Sequence, residues 1–136
     1  MPIKFAPEIG TILICDFRGY EQPEITKRRP VVVVSPRIKD RWGICTVVPL
    51  STTAPRPVKG YHYRLRTAPP LPHPYGSEEH WVKGDLIGTV GYDRLSLPFG
   101  GEKDAQGKRI YDQRVISAED LAAIQSCIRR ALGLPD

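Results

Sequence analysis

Pro30 and Pro36 bracket Val31-Val32-Val33-Val34-Ser35, and no other stretch limits the fold of this chain so tightly. Four consecutive β-branched residues are stiff at χ1, and a proline at each end removes a backbone donor. The stretch therefore predicts a strand buried on both faces, with material packed above and below it. Proline also shapes residues 67–80, where Pro69, Pro70, Pro72, Pro74 and Gly76 exclude a central strand and predict a connection wandering over the surface.

The remaining pattern is mostly extended. Gly10-Thr11 opens a strand over Ile12 to Phe17, with Leu13, Cys15 and Phe17 toward the core. Residues 18–29 are polar, with Gly19 and Pro23, and predict a long mobile loop. A strand from Gly43 should be stopped by Pro49, which cannot donate to a ladder. Between Gly60 and Arg66, Tyr61, Tyr63 and Leu65 alternate with His62, Arg64 and Arg66, a half-buried strand with a basic face. Trp81 to Leu95, loosened by Gly84, Gly88 and Gly91, reads as a bent strand. Pro98 to Gly107 is turn material, across which Arg109 to Val115 should pair as a short strand. Only the end is helical: Ser117 and Asp120 form an S-x-x-D capping box, Leu121, Ile124 and Ile128 recur at helical spacing, and Gly133 stops the run. The sum is a mainly β fold, a small, strongly curved antiparallel barrel closed by one C-terminal amphipathic helix.

With 136 residues the chain reads as one domain spanning 1–136. No apolar run approaches membrane-spanning length and the N-terminus lacks a signal-peptide core, so the expected compartment is the cytoplasm. Cys15, Cys45 and Cys127 are widely spaced, odd in number and without a C-x-x-C pair, which predicts buried free thiols and neither a disulfide framework nor a zinc site. Residues 1–66 carry 12 basic and 5 acidic side chains, residues 67–136 carry 8 and 10, so the first half is electropositive and suits an anionic partner, nucleic acid first. No phosphate-binding glycine loop, H-E-x-x-H or G-x-S-x-G occurs, which argues against ATP use, zinc hydrolysis and α/β-hydrolase chemistry. What remains is arginine, hydroxyl, histidine and acidic residues at strand ends, the ingredients of metal-free phosphodiester chemistry on RNA. That reaction needs a base for the ribose 2′-OH, donors for the charge growing on phosphorus and a proton for the departing 5′-oxygen. Arginine is a poor base and a good bidentate donor, so its first role is electrostatic.

Gly10-Thr11-Ile12 with Asp16-Phe17, Glu21-Gln22, Arg29-Pro30-Val31-Val32-Val33-Val34-Ser35-Pro36, Val48-Pro49-Leu50-Ser51-Thr52 and Lys59-Gly60-Tyr61-His62-Tyr63 follow one another in an order that resembles the MazF/PemK toxin family. The likeness continues through Trp81-Val82-Lys83-Gly84-Asp85-Leu86-Ile87, Thr89-Val90 and Asp93-Arg94-Leu95 into the Ser117 to Leu134 helix. The resemblance implies an SH3-like barrel, a homodimer, and metal-independent, ribosome-independent endoribonuclease cleavage of single-stranded RNA to 2′,3′-cyclic phosphate and 5′-OH ends, with no cofactor. It also implies neutralisation by a cognate antitoxin whose acidic, disordered C-terminal segment lies over the cleft. The family's functional arginine and hydroxyl match Arg29 and Ser51, with Thr52 next door as the alternative hydroxyl. Compact members often carry a glutamine near the position of Asp85 or Leu86, absent here, and Pro98 to Lys108 is extra length.

Each candidate also has a plain structural role. Arg29 could pair with Glu21 or Glu24, and Ser51 or Thr52 could cap the turn after Pro49. His62 is a rival catalyst, sharing a strand face with Arg64 and Arg66. Glu21, Lys27, Arg28, Arg56, Lys59, His62, Arg64 and Asp85 form the expected RNA-binding set, of which Lys27, Arg28, Arg56 and Lys59 would steer phosphate or simply make a solvated basic rim. Asp16 and Asp85 are strand-end caps or acid–base residues. Trp42 and Trp81 are expected in the core or a dimer contact, or stacked on bases, and His73 and His80 on the surface. The rival functions are a nucleic-acid-binding module without turnover and a topoisomerase poison on the same barrel, resembling CcdB.

Overall fold

The computed structural model describes residues 1–135. Seven strands, β1 (Ile12–Cys15), β2 (Arg29–Val33), β3 (Ile44–Ser51), β4 (His62–Arg66), β5 (Glu79–Lys83), β6 (Gly88–Gly91) and β7 (Leu95–Ser96), precede one α-helix, α1 (Ala118–Ala131). They form an antiparallel sheet in the order β4-β5-β3-β2-β1-β7, with β6 paired to β3. The sheet curls without closing among the described residues, β4 and β7 being its ends. The architecture is mainly β with one C-terminal helix, as the patterning predicts.

The valine run is buried on both faces because the sheet has a core on each side. On one face Leu13, Cys15, Val31, Val33, Val47, Val90 and Leu95 pack together. On the other, Ile12, Val32, Val48, Leu50, Leu65 and Val82 pack under Ile124 of α1. The same two-sided burial takes Ile12 and Ile14 out of solvent, so β1 is not the half-exposed strand its alternation suggests.

β3 is the shared strand. Its first half pairs with β6, from Ile44↔Gly91 to Val47↔Gly88, and its last two residues pair with β5 as Leu50↔Val82 and Ser51↔Trp81. Pro49 does not stop it. The Thr46 carbonyl accepts from Val34 N–H across the β2 edge, so by alternation the position of Pro49's missing donor faces the opposite edge, in the interval where β6 has ended and β5 has not begun. A proline costs no ladder bond there.

Ser117 Oγ accepts from Asp120 N–H at 3.1 Å and starts α1. The other half of the capping box is replaced, because Asp120 accepts from Tyr63 Oη and so ties the helix to β4. Gly133 adopts φ +70°, and Leu134 N–H reaches back to Arg129 O, the left-handed ending that glycine permits. The helix approaches the one-turn 3-10 segment Gly84–Leu86 so closely that a Cβ on Gly84 would stand 2.7 Å from Tyr61 O and 3.0 Å from Cys127 Cβ.

Four other expectations are corrected. Arg109 to Val115 makes only isolated bridges, Lys103↔Arg109 and Thr11↔Val115; Ile12 N–H donates to Arg114 O, but β7 takes over the same edge of β1 from Ile14 onward and the pairing goes no further. His80 is 1% exposed, since β5 starts at Glu79 and sets His80 opposite Leu65 on the helix-covered face. Trp42 is not in the core: it is 65% exposed at the β2–β3 connection, edge-on to Tyr92, an exposure that a dimer contact or base stacking would use. The loop after β1 is tied down at its start: Asp16 grips Arg18 through both carboxylate oxygens, and Arg94 donates to the Asp16 and Arg18 carbonyls while covering the Tyr20 ring. The three cysteines are free and buried, burial raising the Cys15 thiol pKa to about 12 and that of Cys45 to about 11.

Candidate functional site

The sheet register assembles the site. β1 sets Cys15 opposite Arg29, and the β2–β3 ladder runs Val33↔Val47, Val32↔Val48, Val31↔Pro49. It ends there because Pro30 has no N–H to give to Leu50, and two steps on, Arg29 stands across from Ser51. Ser51 pairs in turn with Trp81 of β5, and Trp81 with Arg64 of β4. One row thus crosses five strands: Cys15, Arg29, Ser51, Trp81, Arg64. The neighbouring row on the same face is Leu13, Val31, Pro49, Lys83, His62. At the β1 and β2 end both rows belong to the core. Toward β4 they emerge, and the same face becomes hydroxyl, indole and cations.

Arg29 lies at that transition. It is half-buried, its Nε is inaccessible without a hydrogen-bond partner among the described residues, and it makes no ion pair with Glu21 or Glu24. A buried guanidinium nitrogen left unpaired costs free energy that an anionic oxygen would recover. The acids of the loop are engaged otherwise: Glu24 accepts from Glu21 N–H, and Asp16 is held by Arg18, whose hydrogen bonds lower the Asp16 pKa.

Ser51 does cap a turn, its Oγ accepting from Thr53 N–H at 3.1 Å. That bond uses the oxygen as acceptor and leaves the hydroxyl proton to be donated. Carried two residues past the last pair, the register sets Arg29 and Ser51 on the same face of neighbouring strands, and the length of the arginine side chain lets both address one phosphate. Thr52 is exposed one residue further along, on the turn.

The other candidates are distributed unevenly. Arg64 is exposed and lies 4.0 Å from Glu79, a surface ion pair of little consequence. His62 accepts from Lys59 N–H through Nδ1 at 3.0 Å, which leaves Nε2 as the protonated nitrogen of the neutral ring. It sits two strands from Ser51, about 10 Å at ordinary strand spacing, beyond hydrogen-bond reach of a phosphate shared by Arg29 and Ser51. Lys59 and Arg56 are exposed on the loop between β3 and β4, and Glu21 and Lys27 on the loop after β1. Asp85 lines a separate 210 Å³ groove with Tyr20, Ile25, Leu86 and Ile87. Arg28 points to the opposite face of the sheet, beside Ile14 and Ser96. The sequence reading missed Lys83, which alternation in β5 puts beside Trp81's row. Pairing β4 with β5 was the signal that would have found it.

Comparison with known proteins sets this arrangement in context. The family described as PemK-like, MazF-like toxin of type II toxin-antitoxin system matches residues 8–132. The uncharacterized protein YifN of Escherichia coli (strain K12) is 28% identical over 151 residues, covering 97% of this chain and 95% of that protein. Among solved structures, MazF from Deinococcus radiodurans superimposes with a TM-score of 0.64 at 18% identity, over 96% of this chain and all of that one. An endoribonuclease from Mycobacterial species, in complex with its cognate antitoxin, gives 0.63 at 23% identity, over 96% of this chain and 99% of that one. At these identities the two structures share the fold with this chain.

Proposed function

Because the chain belongs to the PemK-like, MazF-like toxin family of type II toxin-antitoxin systems, we propose that it is a metal-independent endoribonuclease acting on single-stranded RNA. One observation carries this reading: Arg29, with a buried unpaired Nε, faces Ser51, with a free hydroxyl proton, where the sheet turns from core to basic surface.

In the reaction the ribose 2′-oxygen attacks phosphorus, its proton leaves to a base, the bond to the 5′-oxygen breaks, and that oxygen takes a proton. The products are a 2′,3′-cyclic phosphate and a 5′-OH. Arg29 and Ser51 donate to the non-bridging oxygens, whose negative charge grows as the phosphorus becomes five-coordinate. Such donors act at full strength only if held in place beforehand. Here β1 fixes Arg29 through Cys15 and β5 fixes Ser51 through Trp81. Lys83 and Arg64, with His62 beside them, extend the positive face along which flanking nucleotides would lie, and Lys27, Arg56 and Lys59 add to it from the loops. Asp85 belongs to the separate groove and Glu21 to the loop after β1, and neither carboxylate is assigned to phosphate. The same cations suit an acidic antitoxin segment, and a homodimer would set two such faces side by side.

The test is to incubate the purified protein with a long single-stranded RNA in excess EDTA, beside an Arg29→Ala variant, and to identify the product ends chemically. Cyclic-phosphate ends formed by the parent and lost in the variant establish the reading; RNA bound but left intact by the parent replaces it with the binding module.

A further inference from the structure

Arg28 and Arg29 are adjacent in sequence and opposite in direction, and the second arginine's open face accounts for only one of them. Arg28 lies on the outer face of β1 and β7, where Ile14 pairs with Ser96, and there it enters a 330 Å³ pocket. The pocket is walled by two segments that add no strand to the sheet, the proline-rich connection contributing His73 and Tyr75 and the segment after β7 contributing Arg109 and Tyr111. Its volume is at the small end of ligand sites, enough for one compact molecule.

The chemistry of the lining is one-sided. Arg28 and Arg109 both reach it, and no acidic side chain lines it. Neither arginine has an ion pair among the described residues. Asp16, the acid that feels Arg28, is already bonded through both oxygens to Arg18. Arg109 is held over the Phe99 ring at 5.3 Å, and Phe99 packs on Tyr111 at 5.2 Å, so this cation is positioned by aromatic contact rather than by a carboxylate. The hydroxyls of Tyr75 and Tyr111 form no hydrogen bond among the described residues, and the lining beside them includes Phe99 and the prolines Pro72, Pro74 and Pro98. Two unpaired guanidiniums select a phosphate; the aromatic and proline wall selects a planar ring.

We propose that this pocket binds a nucleotide, its phosphate between Arg28 and Arg109 and its base against the Tyr75 and Tyr111 side. The nucleotide can be a free mononucleotide or the 5′-terminal nucleotide of a strand, and either source presents the same chemistry. The site stands on the opposite face from Arg29 and does not depend on the nuclease reading.

Calorimetric titration of the full chain tests it, with AMP, inorganic phosphate and a 5′-phosphorylated 2′-O-methyl tetranucleotide, which cannot be cleaved, as the probes. The expected result is saturable submillimolar binding of AMP or of the tetranucleotide, at least about tenfold tighter than inorganic phosphate. Arg28→Ala and Arg109→Ala should each weaken it by about tenfold or more, as expected for a charge-assisted bond lost. Arg29→Ala should leave AMP binding unchanged. AMP binding assigns the pocket to the free nucleotide; binding of the tetranucleotide without AMP, weakened by Arg28→Ala and Arg109→Ala, assigns it to a strand end. Absence of saturable binding by either, indifference to both arginine variants with their thermal unfolding intact, or equal loss of AMP binding in Arg29→Ala overturns the proposal.

Discussion

Arg29 and Ser51 face each other two register steps past the last β2–β3 pair, each strand held from its far side, by Cys15 on β1 and Trp81 on β5. Pro30 ends the ladder between them and leaves their side chains the shared space.

Arg29→Ala should lower the cleavage rate by about 10²- to 10³-fold, the usual cost of a lost transition-state donor, with RNA affinity changed far less. Arg29→Lys should not restore it, because a lysine cannot present two parallel donors. Single-turnover rates on a synthetic RNA decide this, and a loss below tenfold for Arg29→Ala removes Arg29 from the chemistry.

Substitutions at the two hydroxyls should separate them. Ser51→Ala should be slow and Ser51→Thr active, while Thr52→Ala should stay within about twofold of the parent, since the exposed Thr52 is not in the row with Arg29. The same rate assay reads all three, and the reverse order would transfer the role to Thr52.

Lys83→Ala and Arg64→Ala should weaken RNA binding rather than the chemical step. Each removes one phosphate contact, so the plot of log affinity against log salt should become shallower by about 0.7 per substitution on a single strand. Filter binding of an uncleavable 2′-deoxy oligonucleotide across a salt series measures it, and unchanged slopes would place the strand elsewhere.

Acid should destabilise the fold through His80. Burial pushes its pKa below 6.5, Arg114 adding to the effect and the nearby Ser77 and Tyr75 backbone only partly opposing it, while neither ring nitrogen closes a hydrogen bond. The unfolded chain therefore binds a proton that the folded chain refuses as pH falls below about 6.5, and stability drops by at most about 1.4 kcal/mol per pH unit down to the folded pKa. Urea midpoints between pH 7 and pH 5 should fall in the parent and fall less in His80→Leu.

Gly84→Ala should destabilise by about 1–3 kcal/mol, because its Cβ would meet the Tyr61 carbonyl and Cys127, backbone and helix that have no room to yield. Denaturant unfolding measures it; a change within 0.5 kcal/mol would mean the helix shifts freely.

Local patterns were legible where one periodicity acted alone. The valine run, the alternation in Gly60 to Arg66 and the Ser117 helix all lie where they were expected, because side-chain direction there follows backbone period. Pairing was not legible. Nothing local says that β3 changes partner at Pro49, so the proline reads as a stop, and nothing local sets β5 beside β4, so Lys83 goes unnoticed and His80 reads as a surface residue. The reading found Arg29, Ser51, His62 and Arg64 as residue types at strand ends. Their placement on one face is a property of register across five strands, which no window of sequence contains.

Among the described residues the β4–β5 ribbon pairs with the rest of the sheet at Leu50↔Val82 and Ser51↔Trp81, with α1 clasping it from behind through Asp120 and Tyr63. It is therefore a wing joined to the body beside Ser51. On the proposed reading an RNA strand lying from Arg29 to Arg64 would cross that junction and tie wing to body, and amides of the ribbon are where hydrogen exchange should slow when RNA is added.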